Sequence, residues 1–425
     1  MFKTLKNAWK IEDIRKKMIF TFWMIVVFRL GNALPVPFIN KAAIAEIFQG
    51  QQGSILEILN MITGGGLETL SVFALGVGPY ITSSIVVQLL TVAIPRLEEL
   101  SKEGEEGRKK IQRLTKYVAL VLSIIQAYAI VGGIFSKALA SGGAMAYLVV
   151  ITVMVAGSMF IVWIGDLITE KGVGNGLSII IFVGIISRLP RTFYSWGYGV
   201  KNGDVAIYQA ILMLLISIFT IVIVVLITEG ERKIPVQYAK RVVGRKMYGG
   251  QSTHIPIKVN MSGVLPVIFA SSLLALPQTI GMLIGGNTQA WIARNLTPQG
   301  TFGTIFYVVL QVVLIVLFAY FYNSIQFNPV EYSKNLQQYG GFIPGIRPGR
   351  PTSEFLGKIV NRITMVGAIA LAFLAVLPTI LSKIFSLNVT FGGTSVIIAV
   401  GVVLETIRQI EAMMQMRHYK GFLNK

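Results

Sequence analysis

The sequence predicts an all-α polytopic membrane protein with ten transmembrane helices arranged as two inverted halves of five. Of its 425 residues, 54% are hydrophobic and 13% are charged, whereas soluble domains carry about 25% charged residues. A helix needs about 20 mostly apolar residues to cross a bilayer. Ten segments approach this requirement, although the fifth is short: 18–38, 69–94, 117–135, 145–165, 176–190, 206–228, 262–285, 302–326, 360–382 and 393–412.

The distribution of positive charge predicts that both termini lie in the cytosol. The net charge is +19, and most Lys and Arg residues fall before the first span, after the last, or in the connections on that same side. Arg29 lies within a span, and the residues on the opposite side are Lys41, Lys137, Arg188, Arg191, Lys201, Arg294 and Lys383. Cytosolic connections are enriched in Lys and Arg, so this asymmetry sets the orientation and favours an even number of spans.

The ten spans divide into residues 1–190, with helices 1–5, and residues 191–425, with helices 6–10. Because five is odd, the second half is inverted relative to the first, as in the internal repeats of many transporters and channels. Two long basic segments, 229–260 and 327–359, lie between spans on the cytosolic side. They are either solvated loops that obey the positive-inside rule, or docking hairpins for a large, negatively charged partner such as ribosomal RNA or an acidic protein.

Composition argues against an enzyme, a cofactor and a metal site. The chain has no cysteine, and its two histidines, His254 and His418, lie in polar segments. The glycine-rich turn that opens the fifth span lacks the strand and the βαβ unit that a dinucleotide site requires. Within the spans we count only Arg29 as ionisable, whereas an ion-coupled carrier needs a buried acid.

Uncharged polar residues mark several spans. One interpretation is that they join helices through modest hydrogen bonds. The other is a seam between helices that must open towards lipid and is therefore held by weak contacts. The residues that define this candidate seam are Gln88, Gln126, Ser271 and Ser272.

Seven long stretches of the chain resemble the SecY family, and they occur in the family's order along essentially the whole length. They are FRLGNALPVP, NMITGGGLETLSVFALGVGPYITSSIVVQLL, KEGEEGRKKIQRLTKY, ITEKGVGNGLSIIIF, QYAKRVVGRKMYGGQSTHIPIKVNMSGVLPVIFASS, FNPVEYSKNLQQYGGFIPGIRPGRPT and FGGTSVIIAVGVVLE. Members of this family are central subunits of the bacterial protein-conducting channel. The resemblance outranks two rivals, a secondary transporter and a membrane-embedded enzyme or insertase, because the midplane polar groups that they need are missing.

The resemblance implies a clamshell of two halves around an hourglass pore. Unfolded secretory polypeptides cross the pore, and signal sequences and membrane helices leave through a lateral gate between helices 2 and 3 and helices 7 and 8. The candidate seam falls on these helices. The resemblance also implies a ring of apolar side chains at the waist, with Val77 and Leu177 where isoleucine is often found: Val77, Ile81, Leu177, Ile181, Ile268 and Ile398.

By the same resemblance, residues 55–66 form a plug that lies beneath the ring when the channel is idle. This segment is too polar and too rich in glycine to span a membrane. Its apolar residues would seal against the ring: Ile55, Leu56, Ile58, Leu59, Met61 and Ile62. Gly64, Gly65 and Gly66 suit a hinge because glycine adopts backbone angles closed to other residues.

The long loops, in this family, dock the motor ATPase SecA or the translating ribosome. The candidate docking residues are Arg347, in the motif PGIRPG, and Lys233, Lys240, Arg241, Arg245 and Lys246. The other implied partners are the SecE and SecG subunits, polypeptides that carry signal sequences, and membrane lipids. The implied location is the bacterial cytoplasmic (inner) membrane.

Overall fold

The computed structural model of the chain describes residues 2–49, 60, 63–135, 138–139, 143–203, 206–238, 241–243, 246–248, 252–297, 301–384 and 393–423. The first half contains nine helices within this part of the chain. They are α1 (Phe2–Lys10), α2 (Glu12–Ala33), α3 (Lys41–Gln49), α4 (Gly78–Ala93), α5 (Pro95–Lys102), α6 (Glu105–Ala129), α7 (Ala144–Lys171), α8 (Gly176–Ile186) and α9 (Leu189–Asn202). A π-helical turn over Ile130–Ile134 extends α6.

The described part of the second half contains both helices and short strands. Its helices are α10 (Ile207–Glu229), α11 (Leu265–Ile284), α12 (Gly286–Asn295), α13 (Thr301–Gln326), α14 (Pro329–Gln338), α15 (Arg350–Ile384) and α16 (Gly393–Leu423). Its strands are β1 (Glu231–Tyr238), β2 (Arg241–Val243), β3 (Lys246–Tyr248), β4 (Ser252–Lys258) and β5 (Gly341–Phe342).

Each of the ten predicted spans contains a helix. Six helical stretches of the described chain are long and apolar enough to cross a membrane by themselves: Glu105–Gly133, Ala144–Lys171, Gly176–Asn202, Ile207–Glu229, Phe302–Gln338 and Arg350–Leu381. Helices α4 and α5 qualify together but are bent by 101° at Ile94, and the apolar part of α11 is shorter. Helices α2 and α16 occupy the first and last predicted spans.

The predicted start of the second span, residue 69, is wrong. Residues 63–77 form turns, and helix α4 begins only at Gly78. Gly76 has φ +57° and Pro79 occupies the first helical turn, where its missing N–H costs nothing. The turn segment is nevertheless mostly buried, so it belongs to the core and not to a surface loop.

The two long basic segments fold together into one small sheet. Strand β1 pairs antiparallel with β4, placing Pro235 opposite His254, and with β5, placing Gln237 opposite Phe342. Val236 of β1 is fully buried and packs in a cluster with Leu356 and Ile359 of α15. The described parts of the two segments therefore share a hydrophobic core, and the all-α prediction holds for the spans but misses this sheet.

Candidate functional site

Helix α8 is held tightly against α7 by glycines at its start. A Cβ on Gly176 would lie 1.9 Å from the carbonyl oxygen of Gly165, so only glycine allows this approach. The side chain of Asn175 caps α8 by accepting a hydrogen bond from the N–H of Ser178, at 3.3 Å. This packing fixes the positions of Leu177 and Ile181 near the start of the helix.

Helix α4 presents Val77 and Ile81 at its own first turn. Val77 is the residue before the helix, and its carbonyl accepts the first helical hydrogen bond from the N–H of Ile81, at 3.0 Å. Ser158 of α7 donates to the carbonyl of Gly76 at 3.0 Å. The turn that carries Val77 is thus fastened to a neighbouring helix of the same half.

Helices α11 and α16 place two further aliphatic residues from the second half. Helix α11 begins after Val264, and Ile268 lies in its first turn. A Cβ on Gly401 of α16 would lie 2.1 Å from Cγ1 of Val264, so the glycine permits close packing of the two helices. Ile398 lies one helical turn before Gly401 on α16.

All six candidate ring residues belong to one apolar cluster or pack against it. Five are buried members of it, with exposed fractions between 2% for Val77 and 8% for Ile81, and Leu177 packs against them. The six residues come from α4 and α8 of the first half and from α11 and α16 of the second. The cluster also contains many ordinary core residues, such as Phe28 and Ile315. Neighbours at the same helix starts, such as Ile180, Val267 and Ile397, belong to the cluster too, so the cluster by itself does not single out the six.

The candidate seam lies where α11 of the second half contacts α4 and α6 of the first half. Ser271 donates to the carbonyl of Val267 of its own helix at 2.9 Å. Gln88 donates to Ser84, also on its own helix, at 3.4 Å, and its buried Oε1 has no partner in the described chain. Gln126 and Ser272 are half-buried. None of these described bonds crosses the seam, which favours a weakly held seam over hydrogen-bonded joining of helices.

The apolar residues of the predicted plug, Ile55, Leu56, Ile58, Leu59, Met61 and Ile62, lie outside the described residues. Its three glycines are described, and they differ from one another. Gly65 has φ +90° and open space around it, as a hinge requires. A Cβ on Gly64 would lie 2.7 Å from Cα of Gly184, and one on Gly66 would lie 2.3 Å from Oδ1 of Asn32. Of the three, only Gly65 has room for a side chain, whereas Gly64 and Gly66 are closely packed, and the hinge stays a prediction.

Arg347 is exposed on an ordered loop between β5 and α15. The hydroxyl of Thr352 donates to the carbonyl of Arg347 at 2.8 Å, and the hydroxyl of Ser333 donates to the carbonyl of Gly349 at 2.7 Å. Within the described chain no carboxylate lies within ion-pair distance of its guanidinium. The loop therefore presents an unpaired positive charge on a fixed backbone.

The other candidate docking residues lie on the paired strands or beyond them. Lys233 is exposed on β1, with its Nζ 3.2 Å from Oε1 of Glu231. Arg241 and Lys246 belong to the short pair β2 and β3: Lys246 begins β3 next to the connection between the strands, whereas Arg241 lies at the far end, opposite Tyr248. Lys240 and Arg245 lie outside the described residues.

The statement that Arg29 is the only ionisable residue within the spans is wrong. The predicted tenth span includes Glu405 and Arg408, and Arg408 donates to Oε1 of Glu229 and to the carbonyl of Thr228, each at 2.8 Å. These bonds join α16 to the end of α10. Burial lowers the pKa of Lys258, at the end of β4, and the nearby charge of Arg408 lowers it further. The sequence alone was enough to find Glu405 and Arg408, because both lie within the predicted span 393–412.

Comparison with known proteins decides the family. The family model SecY matches residues 71–407. Protein translocase subunit SecY from Streptomyces coelicolor is 43% identical over 443 residues, which cover 100% of each chain. The chain belongs to the SecY family. It is accordingly a multi-pass membrane protein and a subunit of a protein-conducting channel, and the predicted family, fold class and function are confirmed.

Solved structures share the fold of this SecY-family chain. One is described as showing that the plug domain of the SecY protein stabilises the closed state of the translocation channel and maintains a membrane seal. It matches with a TM-score of 0.69 at 21% identity, over 94% of this chain and 92% of that one. Sec61 in the canine ribosome-channel complex from the endoplasmic reticulum matches with a TM-score of 0.64 at 19% identity, over the same shares of the two chains.

Proposed function

We propose that the six clustered aliphatic residues form the constriction through which an unfolded polypeptide passes in this SecY-family channel. The observation that carries the proposal is their origin: two helices of each half contribute, and all six side chains converge in one cluster. A constriction built in this way widens when the halves separate and closes when they return. The channel is therefore gated by the same movement that opens the seam.

The aliphatic character of the constriction suits its cargo. A translocating polypeptide presents every kind of side chain, so a pore that bound any of them tightly would stall. Aliphatic side chains offer no hydrogen bonds and deform around the chain. They also form a constriction that resists wetting, which limits ion flow through an idle channel.

A polar substitution in the ring tests this role. We expect Ile181→Asn to raise the ion conductance of the idle channel in reconstituted vesicles several-fold, because an amide side chain stabilises water in the constriction. Ile181→Leu keeps the apolar character and nearly the same volume, so it serves as the matched control and should leave conductance unchanged. Equal conductance of the two variants would place Ile181 outside the constriction.

The seam between α11 and the helices α4 and α6 is the proposed lateral exit for signal sequences and membrane helices. Gln88, Gln126, Ser271 and Ser272 lie along it on helices that touch across the two halves. Hydrogen bonds that stay within each helix do not have to break when the helices part. This arrangement lowers the barrier to opening towards lipid.

Residues 55–66 are the proposed plug, which occupies the pore when no polypeptide is present. Its described end supports this role: Asn60 is buried, and Asn32 of α2 donates to the carbonyl of Gly64 at 3.0 Å. Gly64 packs directly on Gly184 of α8, the helix that carries Leu177 and Ile181. The segment is thereby anchored beside the ring, with Gly65 free to turn.

The two long basic segments, 229–260 and 327–359, are the proposed docking surface for SecA or for the ribosome, with Arg347 as its best-placed charge. Likeness to the canine ribosome-channel complex supports the ribosome as a partner. We place the chain in the bacterial cytoplasmic membrane with both termini in the cytosol, together with SecE, SecG and lipid. In this scheme the chain is not itself an enzyme, and its partners supply the driving energy.

A further inference from the structure

We propose that Glu68 and Arg191 form a latch that holds the plug closed, and that its release is a step in channel opening. The inference rests on the proposed function, because it assumes that residues 55–66 are a plug. The evidence for the latch does not come from the evidence for the plug. It comes from Glu68, which follows the segment in sequence, and from Arg191, which pairs with Glu68.

The carboxylate of Glu68 connects two parts of the chain that are far apart in sequence. Its Oε1 accepts from Nη1 of Arg191 at 2.7 Å, and its Oε2 accepts from Nδ2 of Asn60 at 3.3 Å. The N–H of Glu68 in turn donates to Oδ1 of Asn60 at 3.0 Å. Asn60 lies inside the proposed plug, so Glu68 holds the plug with one oxygen and Arg191 with the other.

Arg191 comes from the connection between the two halves. It lies in the first turn of α9, which follows α8 and leads to α10, the first span of the second half. A shift of this connection during opening withdraws the guanidinium from Glu68. The carboxylate of Glu68 then loses the positive charge that orients it, and water competes with this carboxylate for the hydrogen bond from Asn60. Arg191 acts on the plug through Glu68 and is therefore a positioning residue.

The exposure of the pair fits a fastening that must be released. The side chain of Arg191 is 73% exposed and that of Glu68 is 28% exposed, so solvent screens their attraction. The neighbouring anchor is different, because Asn32 and Ser71 are buried and hydrogen-bonded to each other at 3.1 Å. Opening can therefore break the exposed latch while the buried anchor keeps the root of the plug in place.

The absence of native cysteine allows a direct test. Thr63 is buried, and its hydroxyl donates to the carbonyl of Asn60, so a single cysteine placed there reports release of the plug. We would compare its rate of maleimide labelling, and the idle ion conductance, in the full chain in reconstituted vesicles. The variants are Arg191→Gln, Arg191→Lys and Lys201→Gln. Lys201 lies in α9 and is exposed, so Lys201→Gln removes the same charge from the same helix.

We expect Arg191→Gln to raise the labelling rate and the idle ion conductance about two- to fivefold, the range for loss of an exposed ion pair. Arg191→Lys keeps the positive charge and should leave both readouts near their original values, and Lys201→Gln should change neither. Glu68→Gln keeps an oxygen that can accept from Asn60 but removes the charge that attracts Arg191, so it should raise labelling by a similar factor, which also decides the matter if Arg191→Gln inserts poorly. Equal labelling of Arg191→Gln and Lys201→Gln, or an unchanged labelling rate in Glu68→Gln, would overturn the latch.

Deleting residues 55–63 separates the latch from the plug. If the deletion raises conductance but Arg191→Gln changes neither readout, the plug stands and the latch is wrong. If the deletion leaves conductance unchanged, the plug is wrong and the latch falls with it.

Discussion

Replacing Arg347 with Glu is expected to stall motor-driven export while the protein remains folded and inserted. The side chain is exposed, and the loop that carries it is fixed by backbone carbonyls that accept from Thr352 and Ser333. Charge reversal therefore leaves the loop intact and removes the proposed contact to an acidic partner. Loss of a close, desolvated charge pair at an interface costs about 2–5 kcal/mol, so export should fall about tenfold or more.

The measurement is the rate at which a signal-bearing precursor enters vesicles that contain the variant, the motor and ATP. Arg350→Glu is the matched control. Arg350 lies three residues away, its side chain is 90% exposed, and it pairs with Glu354 on the same helix at 3.0 Å. Near-normal export by Arg347→Glu would show that the docking assignment is wrong. Equal losses in both variants would indicate a general electrostatic effect in place of a specific contact.

Deletion of residues 55–63 is expected to leave a channel that still exports protein but leaks ions when idle. The constriction alone then separates the two aqueous sides, and the apolar side chains that would seal it are gone. Gly64 and the buried pair Asn32 and Ser71 remain, so the root beside α8 keeps its packing.

Ion flux through reconstituted vesicles, measured without a precursor, tests the deletion. Unchanged flux would count against the plug, provided that the same vesicles still translocate a precursor. Lost translocation would contradict the expectation in a different way, because it would give the segment a role in passage beyond sealing.

The spans were predictable because composition and length decide them. Each of the ten predicted apolar runs contains a helix, and glycine and proline explain the late start of α4, which the hydropathy of the region concealed. The six ring residues could not be found in this way. Helices such as α8 are apolar on every side, so periodicity does not distinguish Ile181 from a core or lipid-facing neighbour such as Ile180. Only the family resemblance singled them out.

Contacts between distant segments account for the rest of what the sequence concealed. Strand β1 pairs with β4 inside its own segment, but its second partner, β5, belongs to the other segment, and nothing in either sequence indicates the contact of Gln237 with Phe342. The approach of Gly64 to Gly184, and the ion pair of Glu68 with Arg191, likewise depend on how the helices assemble. The presence of Arg408 inside the tenth predicted span was visible in the sequence, whereas its pairing with Glu229 depends on how α10 and α16 pack.

Cross-linking a moving polypeptide to the constriction tests the central claim most directly. A single cysteine replaces Ile268 or Ile398, a second is placed in a stalled secretory precursor, and the membranes are oxidised in the presence of the motor and ATP. The account predicts a disulfide adduct that requires both the signal sequence and the motor. Efficient targeting with adducts at the basic loops, but none at Ile268 or Ile398, would contradict it and place the path of the polypeptide elsewhere.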